Sequence, residues 1–73
     1  MKLISKISSL HVEDEIKWLV IEKEENSSDN GYFLFFHKTL EEPCEYDLWF
    51  QDIDDAFAAA ELYGIKKEDW NEN

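Results

Sequence analysis

The sequence predicts a small α+β domain: an antiparallel meander of about four strands with one C-terminal helix packed on one face. Three observations predict it. Segments rich in β-branched and aromatic residues recur through the first two thirds of the chain. The stretches between them are polar and of hairpin length. A single alanine-rich amphipathic run then follows, opened by Asp52 and closed by Gly64.

Residues 2–10 alternate, with Leu3, Ser5, Ile7 and Ser9 on one side and Ile4, Lys6 and Ser8 on the other, which predicts a strand at a sheet edge. A helix competes here, because Leu3, Ile4, Ile7 and Leu10 also fall at helical spacing. The strand is preferred, and His11 to Glu15 reads as a turn. Glu15 to Lys23 is a second strand, with Ile16, Trp18 and Val20 facing one way and Lys17, Leu19 and Ile21 the other. Glu24 to Gly31 is a polar loop whose Asn30-Gly31 pair suits a turn with positive φ.

Tyr32 to Lys38 is a third strand. Tyr32, Leu34 and Phe36 lie on one face and Phe33, Phe35 and His37 on the other, so apolar residues on both sides predict a central position. Pro43 pins the following turn, since it cannot donate to a ladder. Tyr46 to Phe50 is the fourth strand, with Asp47 and Trp49 facing away from Tyr46, Leu48 and Phe50. Asp52 is placed to cap the helix, and Asp54 and Asp55 sit where the positive end of the helix dipole favours anions. Ile53, Ala56, Phe57 and Ala60 form the apolar stripe. Gly64 supplies a left-handed stop, Ile65 folds back toward Ala60, and Trp70 tucks against the domain.

The run Trp49, Asp54-Asp55-Ala56, Tyr63-Gly64-Ile65 and Asp69-Trp70 resembles the C-terminal pattern of a group of small uncharacterised bacterial proteins. The resemblance covers residues 46–70. It implies a tryptophan-bearing strand followed by an acidic helix, and no site residues.

Seventy-three residues predict one domain, 1–73, with 44% hydrophobic and 15% aromatic content, as expected of a folded chain. Cys44 is the one cysteine, which excludes an internal disulfide and favours a reducing, cytoplasmic setting. No apolar run is long enough to span a membrane, and the N-terminal residues read as a strand and not as a signal peptide.

Charge is the strongest compositional fact. The formal net charge is −11, and all seven bases are lysine. Without arginine the chain lacks the planar fork that recognises phosphate and guanine edges, so nucleic-acid binding is disfavoured by sign and by residue type. The charge is uneven: residues 1–37 hold seven acids and four lysines, and residues 38–73 hold eleven acids and three lysines. Partners with basic surfaces are favoured.

The acidic residues Glu45, Asp47, Asp52, Asp54 and Asp55 are one candidate site. As a metal site they would offer hard oxygen ligands, but they lack the alternation, central glycine and distal glutamate of a calcium loop. As an acid/base pair they would need a cleft that one helix on a small sheet hardly provides. Capping and dipole compensation account for them. His11, His37 and Cys44 show no metal-ligand spacing, and no nucleophile elbow or phosphate loop is present, so no cofactor or catalytic residue is assigned.

The two-faced strands point to binding. With Leu34, Phe36, Leu48, Phe50, Trp18 and Val20 under the helix, Phe33, Phe35, Trp49, Leu19 and Ile21 form a bare opposite face. Two arrangements remain open: that face meets a partner, or the N-terminal segment or Trp70 crosses it. Trp49 has no explanation in capping or helix packing. The expected function is a small acidic protein–protein interaction module that is not an enzyme. Its partner is a basic protein, as for an inhibitor or immunity-type protein, or a second copy. Phe33, Phe35, Leu19, Trp49, Asp47 and Glu45 form the contact surface. The alternative is a metal-dependent or acid/base enzyme or regulator built on residues 45–55.

Self-repulsion among the excess carboxylates predicts that salt stabilises the fold. The melting temperature is expected to rise between low and physiological NaCl, and thermal denaturation followed by circular dichroism checks it.

Overall fold

The computed structural model describes residues 2–7, 16–24 and 31–72. Among the described residues, five antiparallel strands form one open sheet, and one helix packs on it. The strands are β1 (Lys2–Lys6), β2 (Trp18–Lys23), β3 (Tyr32–His37), β4 (Tyr46–Phe50) and β5 (Asn71–Glu72). Their spatial order is β4-β3-β2-β1-β5, so the first four make the expected meander and the fifth adds to its β1 side. Helix α1 (Ile53–Glu61) and a 3-10 turn (Lys67–Asp69) carry the chain from the β4 edge to β5. The expected strand 2–10, turn 11–15 and loop 24–31 fall partly or wholly outside the described residues, as do His11 and Asn30.

β5 adds a strand to the four expected. Asn71 and Glu72 have little strand propensity, and they pair because the returning chain lies beside β1, with Leu3↔Glu72 and Ile4↔Asn71 in register.

The core sits between the sheet and α1. Leu19, Ile21, Leu34 and Phe36 are sealed on the sheet side, and Ala56 and Ala60 are sealed on the helix side. Two alanines at this contact bring the helix backbone close to the strands, so few side-chain atoms fill the gap. Ile7, Ile16 and Ile65 complete the cluster, with Phe57, Tyr63 and Trp70 packed at its margin. The Tyr63 ring meets Phe36 edge-on at 5.4 Å.

This arrangement corrects the predicted phase of β2. Leu19 pairs with Phe36 and Ile21 with Leu34, and cross-strand neighbours share a face. Leu19 and Ile21 therefore lie under the helix, whereas Trp18 and Val20 lie opposite. β2 is apolar on both sides, so its hydrophobic pattern does not set which side turns inward.

Asp52 stands at the expected N-cap position with extended backbone (φ −114°), but its side chain makes no capping hydrogen bond. Its carbonyl accepts from the Asp55 and Ala56 amides at 3.1 and 3.4 Å. The helix stop is as expected. Gly64 has φ 81°, its N–H donates to the Glu61 carbonyl (2.9 Å), and the Ile65 N–H reaches the Ala60 carbonyl (3.3 Å). These bonds form a Schellman motif, and Ile65 is drawn into the core beside Ala60.

Trp70 lies on the helix side, its ring 6.1 Å from that of Phe57. Its indole N–H is buried and finds no acceptor among the described residues. An unpaired buried donor opposes folding while the ring favours it. Trp70→Phe is thus expected to change stability by less than about 1 kcal/mol, and Trp70→Ala to cost about 2–4 kcal/mol. Chemical denaturation checks both; a loss above about 1 kcal/mol for Trp70→Phe would mean that the N–H is satisfied.

Candidate functional site

The parity that buries Leu19, Ile21, Leu34 and Phe36 sends the alternate residues of each strand to the opposite face, which no described element covers. Three cross-strand rows result: Ile4–Val20–Phe35–Asp47, Glu22–Phe33–Trp49 and Lys6–Trp18–His37. Val20 is sealed at the centre, and the rings around it are partly exposed. Phe33 and Phe35 stack at 5.5 Å with their planes 18° apart, and Phe35 meets His37 edge-on at 6.4 Å. These rings make an aromatic column along β3. Lys6 Nζ lies 5.8 Å from the Trp18 ring centroid, within cation–π range.

Of the residues assigned to the contact surface, Phe33, Phe35, Asp47 and Trp49 share this face. Leu19 does not, being fully buried in the core. Glu45 sits just before β4, exposed and 3.5 Å from Lys38 Nζ. Trp18, Lys6 and His37 belong to the face although they were not assigned to it. The alternation that misplaced Leu19 also hid Trp18, and one register contact between β2 and β3 recovers both. Trp70 packs on the helix side, and residues 2–6 are a strand of the sheet, so neither crosses this face.

Charge divides the face. Lys2 and Lys6 stand on β1. Toward β4 the charges on this face are Glu24 and Asp47; Glu41, Glu42 and Glu45 lie in the turn before the strand, and Asp52, Asp54 and Asp55 follow it at the start of the helix, which packs on the other face. Lys38 and Lys67 reach into this acidic border, where Lys67 Nζ approaches Asp54 at 3.4 Å. Both pairs are exposed, so each offsets little of the surrounding field.

Trp49 has the local role that the sequence did not show. Its indole N–H donates to Glu24 Oε2 at 2.7 Å, and its ring packs against Gly31. The Glu24 N–H in turn donates to the Gly31 carbonyl at 2.9 Å. The side chain thus latches β4 to the neck of the β2–β3 hairpin. Gly31 is buried and is not in the positive-φ region expected for it. A Cβ there would fall inside the indole, so a missing side chain, and not a special backbone, is what this position needs.

The acidic residues are spread over β4, its preceding turn and the helix start. Among the described residues, no three of His, Cys, Asp and Glu converge into a group able to hold a metal ion. His37 Nδ1 lies 3.2 Å from the Glu42 carbonyl, and Cys44 is half-buried. A depression of about 490 Å³ lies at the helix C-terminus, lined by Glu61, Gly64, Ile65, Lys66, Lys67 and Glu68. It shares no residue with the aromatic face. Among the described residues, no helix is long and apolar enough to cross a membrane.

The contact of Trp49 with Gly31 yields a double-mutant test. Gly31→Ala is expected to expel the indole and break its bond to Glu24, while in a Trp49→Ala background the ring atoms nearest the added methyl are gone. A coupling of about 1–2 kcal/mol between the two sites is expected from urea denaturation of the four proteins. Additive losses would show that the indole does not bear on Gly31.

Comparison with protein families, with curated proteins and with solved structures found no match to this chain.

Proposed function

We propose that this chain is a protein-binding module of the cytosol whose uncovered sheet face receives a partner with a basic surface. The observation that carries the reading is the coincidence of an aromatic face and an acidic border on one side of the sheet. Phe33, Phe35, Trp18 and Trp49 supply large, stiff contact area at low entropic cost, the composition typical of binding hot spots. Carboxylates along one border steer a basic partner toward them and hasten encounter. An inhibitor-type protein that masks a basic site on its target is one form of this reading.

Phe35 is the position to change, since it lies at the centre of the face and away from α1. Immobilised wild-type chain and the Phe35→Ser variant, shown to be folded by circular dichroism, are offered the same native cell extract. The wild type is expected to retain a basic protein at about 50 mM NaCl and to release most of it at about 500 mM. The variant is expected to retain it at least about tenfold less well. Equal retention by both proteins, or association with the retained protein at a rate indifferent to salt, would overturn the reading.

A further inference from the structure

We propose that the outer edge of β4 is a docking edge that accepts a basic extended segment of a partner protein as an additional antiparallel strand.

The two edges of the sheet differ. On the β1 side the sheet ends in β5, which is two residues long and offers little ladder to a further strand. On the other side it ends in β4, five residues long, with no lysine and no proline within Tyr46–Phe50. Among the described residues β4 pairs only with β3. Its residues Leu48 and Trp49 remain 45% and 43% exposed.

The ladder phase identifies which backbone groups face outward. The bond from the Glu24 N–H to the Gly31 carbonyl makes that pair hydrogen-bonded. Alternation along the register then makes Glu22↔Phe33 and Val20↔Phe35 hydrogen-bonded too, so Phe33 and Phe35 direct their backbone groups at β2. Tyr32, Leu34 and Phe36 face β4 and bond Phe50, Leu48 and Tyr46. The N–H and C=O groups of Asp47 and Trp49 are therefore directed away from the sheet.

Charge decides what would pair there. Glu45 and Asp47 lie at the edge, with Glu41 and Glu42 before it and Asp52, Asp54 and Asp55 after it. A second copy of the chain would bring the same acids to the same seam, against a net charge of −11 on each partner. A basic segment meets no such repulsion. Its residues on the Asp47 and Trp49 side gain an opposite charge and an aromatic ring, and its alternate residues lie beside Leu48. The recognised sequence therefore alternates basic and apolar residues. This inference rests on the functional reading above only for the sign of the partner's charge, because the backbone ladder of the edge carries it, and of the aromatic face it uses only Asp47 and Trp49, which stand on β4 itself.

The probe is a blocked synthetic peptide of alternating lysine and valine, seven residues long. Its control is the same peptide with N-methyl groups on alternate backbone nitrogens, which keeps charge and side chains but cannot form the ladder. Titration into the isotope-labelled chain is expected to shift the Asp47 and Trp49 amides and slow their hydrogen exchange, with at least about tenfold weaker binding of the methylated control. Asp47→Asn keeps the outward N–H and is expected to weaken the unmethylated peptide by about twofold to fivefold. Asp47→Pro removes the N–H without breaking a bond to β3 and is expected to weaken it about tenfold or more.

Equal binding of the two peptides overturns the proposal, since the attraction would then be charge alone; this comparison stands even if Asp47→Pro does not fold. Protection of the two amides by self-association, before peptide is added, overturns it in favour of a second copy. Peptide binding that Phe35→Ser abolishes and Asp47→Pro leaves intact overturns the edge while sparing the face. Peptide binding unchanged by Phe35→Ser, with retention of the cellular partner also unchanged, leaves the edge standing without the face.

Discussion

One helix of nine residues has to cover a five-stranded sheet, and most of what is particular to this molecule follows from that shortage. Ala56 and Ala60 let the helix settle close enough to seal Leu19, Ile21, Leu34 and Phe36. The helix cannot reach across the sheet by itself, so the chain beyond it extends the roof with Tyr63, Ile65 and Trp70. The Schellman turn at Gly64 makes this extension possible, because it reverses the chain and drops Ile65 into the core. Even so, the described residues cover only one face. The rings on the other face pack sideways against one another, along β3 and against Lys6, in place of a second layer.

Much of this was legible in the sequence because the local signals agreed with the global fold. The strand at 32–37, the strand at 46–50, the helix between Asp52 and Gly64, and the inward placement of Ala56, Phe57 and Ala60 each follow from composition and spacing. The phase of β2 did not, because a strand with Leu19 and Ile21 on one side and Trp18 and Val20 on the other buries apolar surface in either register. Only its pairing with β3 decides. β5 was also hidden: Asn71 and Glu72 are polar, and their strand is imposed by position. In the candidate site, Phe33, Phe35, Asp47 and Trp49 were found from alternation alone. The bond from Trp49 to Glu24 was not, since it links positions 25 apart in the sequence across a β3 strand that lies between them.

Trp49 therefore belongs to two structures at once. As the latch over Gly31 it steadies the hairpin neck, and as a half-exposed ring it is part of the aromatic face. Its hydrogen bond to a carboxylate holds the indole in one orientation, which lowers the rotamer entropy that a partner would otherwise have to quench. Stability of the fold and readiness of the surface are coupled through one side chain. Leu48 contrasts with it, since this residue is exposed beside the helix and has no such tether in the described contacts.

The place of β5 beside β1 has a consequence for the order in which the molecule assembles. Leu3 and Glu72 are neighbours in the sheet although 69 positions apart, whereas Lys23 and Tyr32 are neighbours only 9 apart. Closing the longer loop directly carries about 2 kcal/mol more entropic penalty than closing the hairpin. Once α1 has settled on the sheet, only the nine residues between Glu61 and Asn71 remain to be ordered. Docking of the helix thus converts a distant encounter into a local one for β5.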